Sequence, residues 1–105
     1  MQKTQELNIE LASKIGLCEA VLLGYLEEQI EVNPTDQDGR RWTRQTIAEV
    51  QEALSLWSKT KVWRALLRLE EQGLVAVQGK YRRMFSVNGD KVREIESGKF
   101  VEINH

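Results

Sequence analysis

The chain has 105 residues, 41% of them hydrophobic and 30% charged, with one cysteine, one proline and a formal net charge of −1. That length permits one domain burying roughly 60–70% of its unfolded surface, and this composition with no low-complexity tract argues against long disordered segments. No apolar run approaches the ~18 residues of a membrane span and no signal peptide opens the chain, so a cytoplasmic protein without a membrane partner is expected. A lone cysteine excludes an intrachain disulfide, and with one terminal histidine it excludes an ordinary structural zinc site.

The first periodic segment carries Leu7, Leu11 and Ile15 at i, i+4, i+8, with Glu10 and Lys14 paired outside, and Gly16 predicts its end. A second helix is predicted over residues 19–31. Leu22, Tyr25, Leu26 and Ile30 face inward there and Glu27, Glu28 and Glu31 outward, while Cys18 before it reads as an inert small residue. Asn33-Pro34-Thr35-Asp36-Gln37-Asp38-Gly39 reads as a loop. Arg41-Trp42-Thr43 reads as a short strand, with Trp42 placed to cover the edge of a later hairpin.

Thr46 with Glu49 three residues on is a capping-box signature, and it opens a short helix with Ile47, Val50 and Leu54 on one face, ending near Ala53. Leu56 and Trp57 are expected to wedge the turn between this helix and the next. Ser58 as N-cap and Gly73 as stop then define a helix over residues 59–72. Val62, Ala65, Leu66 and Leu69 supply its core stripe, and Lys61, Arg64 and Arg68 a second, basic face. Segments 74–77 and 82–87 read as two strands joined through Gln78-Gly79-Lys80-Tyr81, with Gly79 first in a type II′ turn. Further on, Asn88-Gly89 reads as a turn, Asp90 as an N-cap, Val92 and Ile95 as a short apolar face, and 99–103 as a strand or docked tail.

Near-neutrality conceals a dipolar chain. Residues 1–39 hold two lysines against eight carboxylates, or −6; residues 40–83 hold ten basic against four acidic side chains, or +6; residues 84–105 carry −1. The basic stretch coincides with the two-helix unit and the hairpin, where a charged surface suits nucleic acid.

Helix, turn, helix and hairpin in this order resemble a winged helix-turn-helix domain. The segments KIGLCEAVLL (14–23), DGRRWT (38–43), LSLWSKTKVWRALLRLEEQGLV (54–75) and RRMFSV (82–87) together resemble the winged-helix module of phage and plasmid replication-initiation proteins, over residues 7–95. In that family the second helix usually starts with Asn, where this chain has Cys18, and the recognition helix tends to be polar where this one has Trp63 and Leu67. The resemblance implies an α+β, mainly helical fold spanning 1–105 as one domain: strand, helix-turn-helix and wing over 39–87, carboxy-terminal helix and tail over 88–105.

A duplex-DNA-binding module in replication initiation or transcriptional regulation is therefore expected. Ser58, Thr60, Lys61 and Arg64 are the candidates near base edges, and Arg40, Arg41, Arg44, Lys59, Arg68, Lys80, Arg82 and Arg83 the candidates for phosphates. The alternative is a protein-interaction or dimerisation winged helix that uses Trp63 and Leu67 as an apolar strip, seating a second copy or a replication or regulatory protein. A third possibility for Trp63 is purely structural, with its ring covering the hairpin. His105 is terminal, and the chain has neither a glycine-rich phosphate loop nor a nucleophile motif, so no enzyme, cofactor, metal or small-molecule ligand is expected. The chain reads equally as a whole small protein or as the amino-terminal piece of a longer initiator.

Overall fold

Gly16 sets the first corner of the molecule. The computed structural model describes residues 9–79 and 82–97, and in it α1 (Ile9–Ile15) and α2 (Leu17–Val32) are separated by this one residue, at φ 106° and ψ 149°. A side chain rarely tolerates that backbone. Hydrogen bonding hardly lapses across the break, because Gly16 N–H donates to Ala12 O at 2.8 Å and Ala20 N–H to Gly16 O at 2.9 Å. The second helix thus begins two residues earlier than expected and takes Cys18 into its buried first turn.

The loop expected over 33–39 is instead a hairpin. β1 (Thr35–Gln37) pairs antiparallel with β2 (Arg40–Thr46), Gln37 opposite Arg40, so Asp38-Gly39 forms a two-residue turn. Both have positive φ, 55° and 74°, as a type I′ turn requires, and Asp-Gly is among the dipeptides that favour it.

β2 runs directly into α3 (Ile47–Ala53) through the expected capping box: Thr46 Oγ1 accepts from Glu49 N–H at 3.0 Å, and Thr46 N–H donates to Glu49 Oε1 at 2.7 Å. In the turn after α3 the expected wedge is only half present. Trp57 is half-buried against the core, whereas Leu56 is 91% exposed, and Leu54 is the buried leucine of this corner. The turn carries Leu56 outward, so sequence polarity alone misplaces it.

Ser58 caps α4 (Lys59–Glu71), its Oγ accepting from Lys61 N–H at 3.1 Å. Gly73, at φ 78°, ends the helix with a pair of reversed hydrogen bonds, Gly73 N–H to Glu70 O and Leu74 N–H to Leu69 O, both at 3.0 Å. This reversal buries Leu74 and starts β3 (Val75–Gln78), which pairs antiparallel with β4 (Arg82–Val87). Their register corrects the predicted turn. Gln78 lies opposite Met84, not Tyr81, so five residues, the last two of them in β4, separate this pair and a two-residue type II′ turn does not form; Lys80 and Tyr81 lie outside the described residues.

α5 (Gly89–Ser97) is capped by Asn88 rather than Asp90: Asn88 Oδ1 accepts from Lys91 N–H at 3.2 Å, leaving Asp90 inside the first turn, ion-paired with Arg93. Residues 99–103, read as a strand or tail, and Leu7 fall outside the described residues.

Among the described residues, five helices accompany one antiparallel sheet of order β1-β2-β4-β3. α2 packs on α4, β2 and β4, and the core gathers Leu22, Leu23 and Leu26 from α2, Val62, Ala65, Leu66 and Leu69 from α4, and Phe85 from β4. Fully burying each such Leu or Phe contributes about 1.5–3 kcal/mol, so this three-element contact dominates the fold. Alternation along β2 turns Thr43 and Gln45 toward the helices and Trp42 and Arg44 to the opposite face. Trp42 is nevertheless 3% exposed. The first hairpin leans over that outer face: Trp42 Nε1–H donates to Gln37 O at 3.2 Å and Gln37 Nε2–H to Gln78 Oε1 on β3 at 3.1 Å.

Candidate nucleic-acid interface

α4 divides cleanly into two surfaces. Val62, Ala65, Leu66 and Leu69 are buried, while Lys59, Thr60, Lys61 and Arg64 are exposed on the other side. From Ser58 through Leu69 the chain contains no carboxylate, and the amino-terminal end of the helix adds its own partial positive charge. Ser58 stands at this end with its oxygen engaged in capping, so a ligand would meet its hydroxyl as a donor.

The remaining basic candidates separate by position. Arg68, one turn beyond Arg64, is ion-paired at 3.4 Å with Glu19, whose side chain is only 9% exposed. Glu19 folds back over Gly16, its Oε1 2.2 Å from where a Cβ would stand, so the carboxylate is held at the α2–α4 junction and claims Arg68. Arg83, opposite Gln45 in the β2–β4 ladder, lies on the helix-facing side of the sheet, its guanidinium carbon 5.0 Å from the centroid of the Trp63 ring. Arg82 begins β4, and Lys80 falls in the undescribed tip. Arg44 shares the outer sheet face with Trp42.

Arg40 and Arg41 are placed elsewhere. They stand at the far end of β2 from α3 and line a cleft of about 540 Å³ with Glu27, Glu31, Asp90 and Arg93, to which α4 contributes nothing. Arg40 also sits over the Trp42 ring, at 6.0 Å. Opposite charges there nearly cancel, unlike the face of α4. Although Glu27 is an exposed residue, crowding of its carboxyl by its surroundings, then the charges of Glu96 and Glu31, push its pKa above the usual carboxylate value, and Arg93 pulls it back.

Trp63 and Leu67 do not form one exposed strip. Trp63 is half-buried against the core beneath Arg83, whereas Leu67 is 44% exposed. Cys18, buried beside α4, has its thiol pKa raised by burial and by Glu19, with Lys61 opposing, which leaves it a poor nucleophile.

A hydrogen-bond network invisible in the sequence lies between α2 and β2. Tyr25 O–H donates to Gln45 Oε1 at 2.7 Å, and Gln45 Nε2–H reaches Thr43 Oγ1 at 3.2 Å and Gln29 Oε1 at 3.4 Å, joining α2 to β2. Burial, then Glu49 and Glu28, raise the Tyr25 pKa, so the hydroxyl remains a donor. Gln45 falls within a basic stretch whose charges mask its inward alternation.

Among the described residues no three His, Cys, Asp or Glu side chains gather as a metal site, and no helix is long and apolar enough to cross a membrane. Comparison of the chain with models of protein families, with curated proteins and with solved structures found no match.

Proposed function

We propose that the chain is a winged helix-turn-helix module that binds duplex DNA, in replication initiation or transcriptional control, with α4 as its recognition helix. The order β2-α3-α4-β3-β4, with β4 between β2 and β3, supports this architecture. The observation that carries the function is the outward face of α4 over its first three turns, where no carboxylate occurs before Glu70, with Lys59, Thr60, Lys61 and Arg64 exposed and the opposite face fixed in the core. An α-helix fits the major groove, where Arg and Lys meet guanine O6 and N7 and phosphates flank them. In this arrangement Lys61 and Arg64 read bases, and Lys59 and Arg83 contact phosphates.

The role of the phosphate candidates narrows accordingly. Arg68 is held by Glu19, and Arg40 and Arg41 belong to the mixed-charge cleft, so none of the three carries the binding. A titration of labelled duplex by anisotropy at two salt concentrations tests the proposal: affinity falls steeply with salt, because each neutralised phosphate releases a counterion. Anisotropy that stays flat at low salt overturns it. The protein-contact reading retains Leu67 and is favoured further by Leu56, 91% exposed in the turn before α4. A sizing measurement beside the titration tests that reading.

A further inference from the structure

Trp63 is an expensive residue for a groove-binding helix, since the major groove offers an indole little beyond a thymine methyl. Its surroundings suggest another use. The ring leans on the core from the second turn of α4, and the Arg83 guanidinium lies over it at 5.0 Å, inside the ~6 Å range of a cation–π contact. Arg83 comes from β4, one residue into the strand and just beyond the last β3–β4 pair, Gln78 with Met84, on the helix-facing side of the sheet. The contact therefore ties hairpin to helix.

We propose that Trp63 is a positioning residue, whose ring holds Arg83 alongside α4 so that the guanidinium meets the phosphate strand bordering the groove the helix enters. This rests on the duplex-binding reading above. An arginine free in solution loses rotamer freedom on binding a phosphate; one already stacked on a ring has lost much of it beforehand. A guanidinium lying over a ring keeps five N–H donors around its edge, and a phosphate oxygen can accept from one or two of them. The same contact sets the angle of the hairpin against α4. Arg64 and Arg83 thereby act as one surface built from two elements.

The test is a double-mutant cycle with Trp63→Leu, Arg83→Gln and the pair, read by anisotropy of a labelled duplex across a salt series, with Trp63→Phe as the conservative variant. Circular dichroism and urea unfolding establish which variants are folded. Arg83→Gln should reduce the salt slope by about 0.9, one phosphate's worth. Trp63→Leu should weaken binding about threefold to tenfold and leave the slope nearer wild type. The pair should bind no more weakly than Arg83→Gln alone, and Trp63→Phe should restore most of the affinity. Additive losses in the pair, or equal losses for Phe and Leu at position 63, overturn the positioning role while duplex binding stands. Wild-type protein that binds no duplex at low salt removes the duplex-binding reading itself, and the positioning role with it. If Trp63→Leu does not fold, Arg83→Gln compared with Arg83→Lys decides: lysine keeps the charge but lacks the planar stack, and equal binding by Lys and Arg overturns the proposal.

Discussion

Gly16 and Glu19 show how one backbone position governs a charge on the opposite helix. Gly16 turns the chain at φ 106°, and the space it leaves is filled by the Glu19 carboxylate, which in turn holds Arg68. Gly16→Ala must strain the backbone and displace Glu19, so we predict a loss of about 1–3 kcal/mol in urea unfolding. A change within a few tenths would show that the corner relaxes freely. At the same scale, Arg64→Ala should cost about 1–3 kcal/mol on a preferred duplex and relax its sequence preference. Arg41→Ala should leave duplex affinity nearly unchanged, because Arg41 lines the cleft beside Glu27 and Glu31. Equal losses from both would mean that the two arginines serve one diffuse electrostatic surface.

At the scale of elements, what the sequence revealed depended on whether the signal was local. The capping box at Thr46, the Ser58 cap, the apolar stripe of α4 and the Gly73 stop are set by residues within a turn of one another, and all form as expected. Leu56, the Asn88 cap and the second hairpin's register were misread because each depends on what the chain packs against or pairs with. Of the candidate site, the α4 face was legible from spacing. The Arg68–Glu19 ion pair and the position of Arg40 and Arg41 in the cleft were not, since these contacts join residues far apart in the chain.

Asp38-Gly39 is the opposite case, a local signal hidden by its polar surroundings. Gly39→Val should cost about 1–2 kcal/mol for the left-handed backbone alone. It should also loosen the first hairpin, so that the Trp42 indole proton, donated to Gln37 O, exchanges faster by NMR. An unaltered exchange rate would detach Trp42 burial from the turn. The cleft between α2, β2 and α5 makes a pH prediction. Because the Glu27 pKa is raised in the folded protein, folding binds protons between the ordinary value, about 4.3, and the raised one, and stability falls as pH rises through that window. Glu27→Gln should remove this component, and parallel pH profiles for wild type and variant would refute it.

For the whole molecule, the separation of charge along the chain survives only in part, since Arg40 and Arg41 line a cleft with Glu27 and Glu31 and Arg68 pairs with Glu19. α2 carries Glu27, Glu28 and Glu31 toward its carboxy-terminal end, while α4 presents Lys59, Lys61 and Arg64 from its amino-terminal half. A net charge of −1 is thus compatible with binding a polyanion in one orientation only. Backbone amide chemical shifts, followed by NMR as a short duplex is added at low salt, test this orientation most directly. The account predicts perturbations concentrated over residues 58–68 and on β3 and β4, with those of Glu27, Glu31, Arg40 and Arg41 unmoved. Perturbations centred on the cleft residues, with residues 58–68 silent, would contradict it.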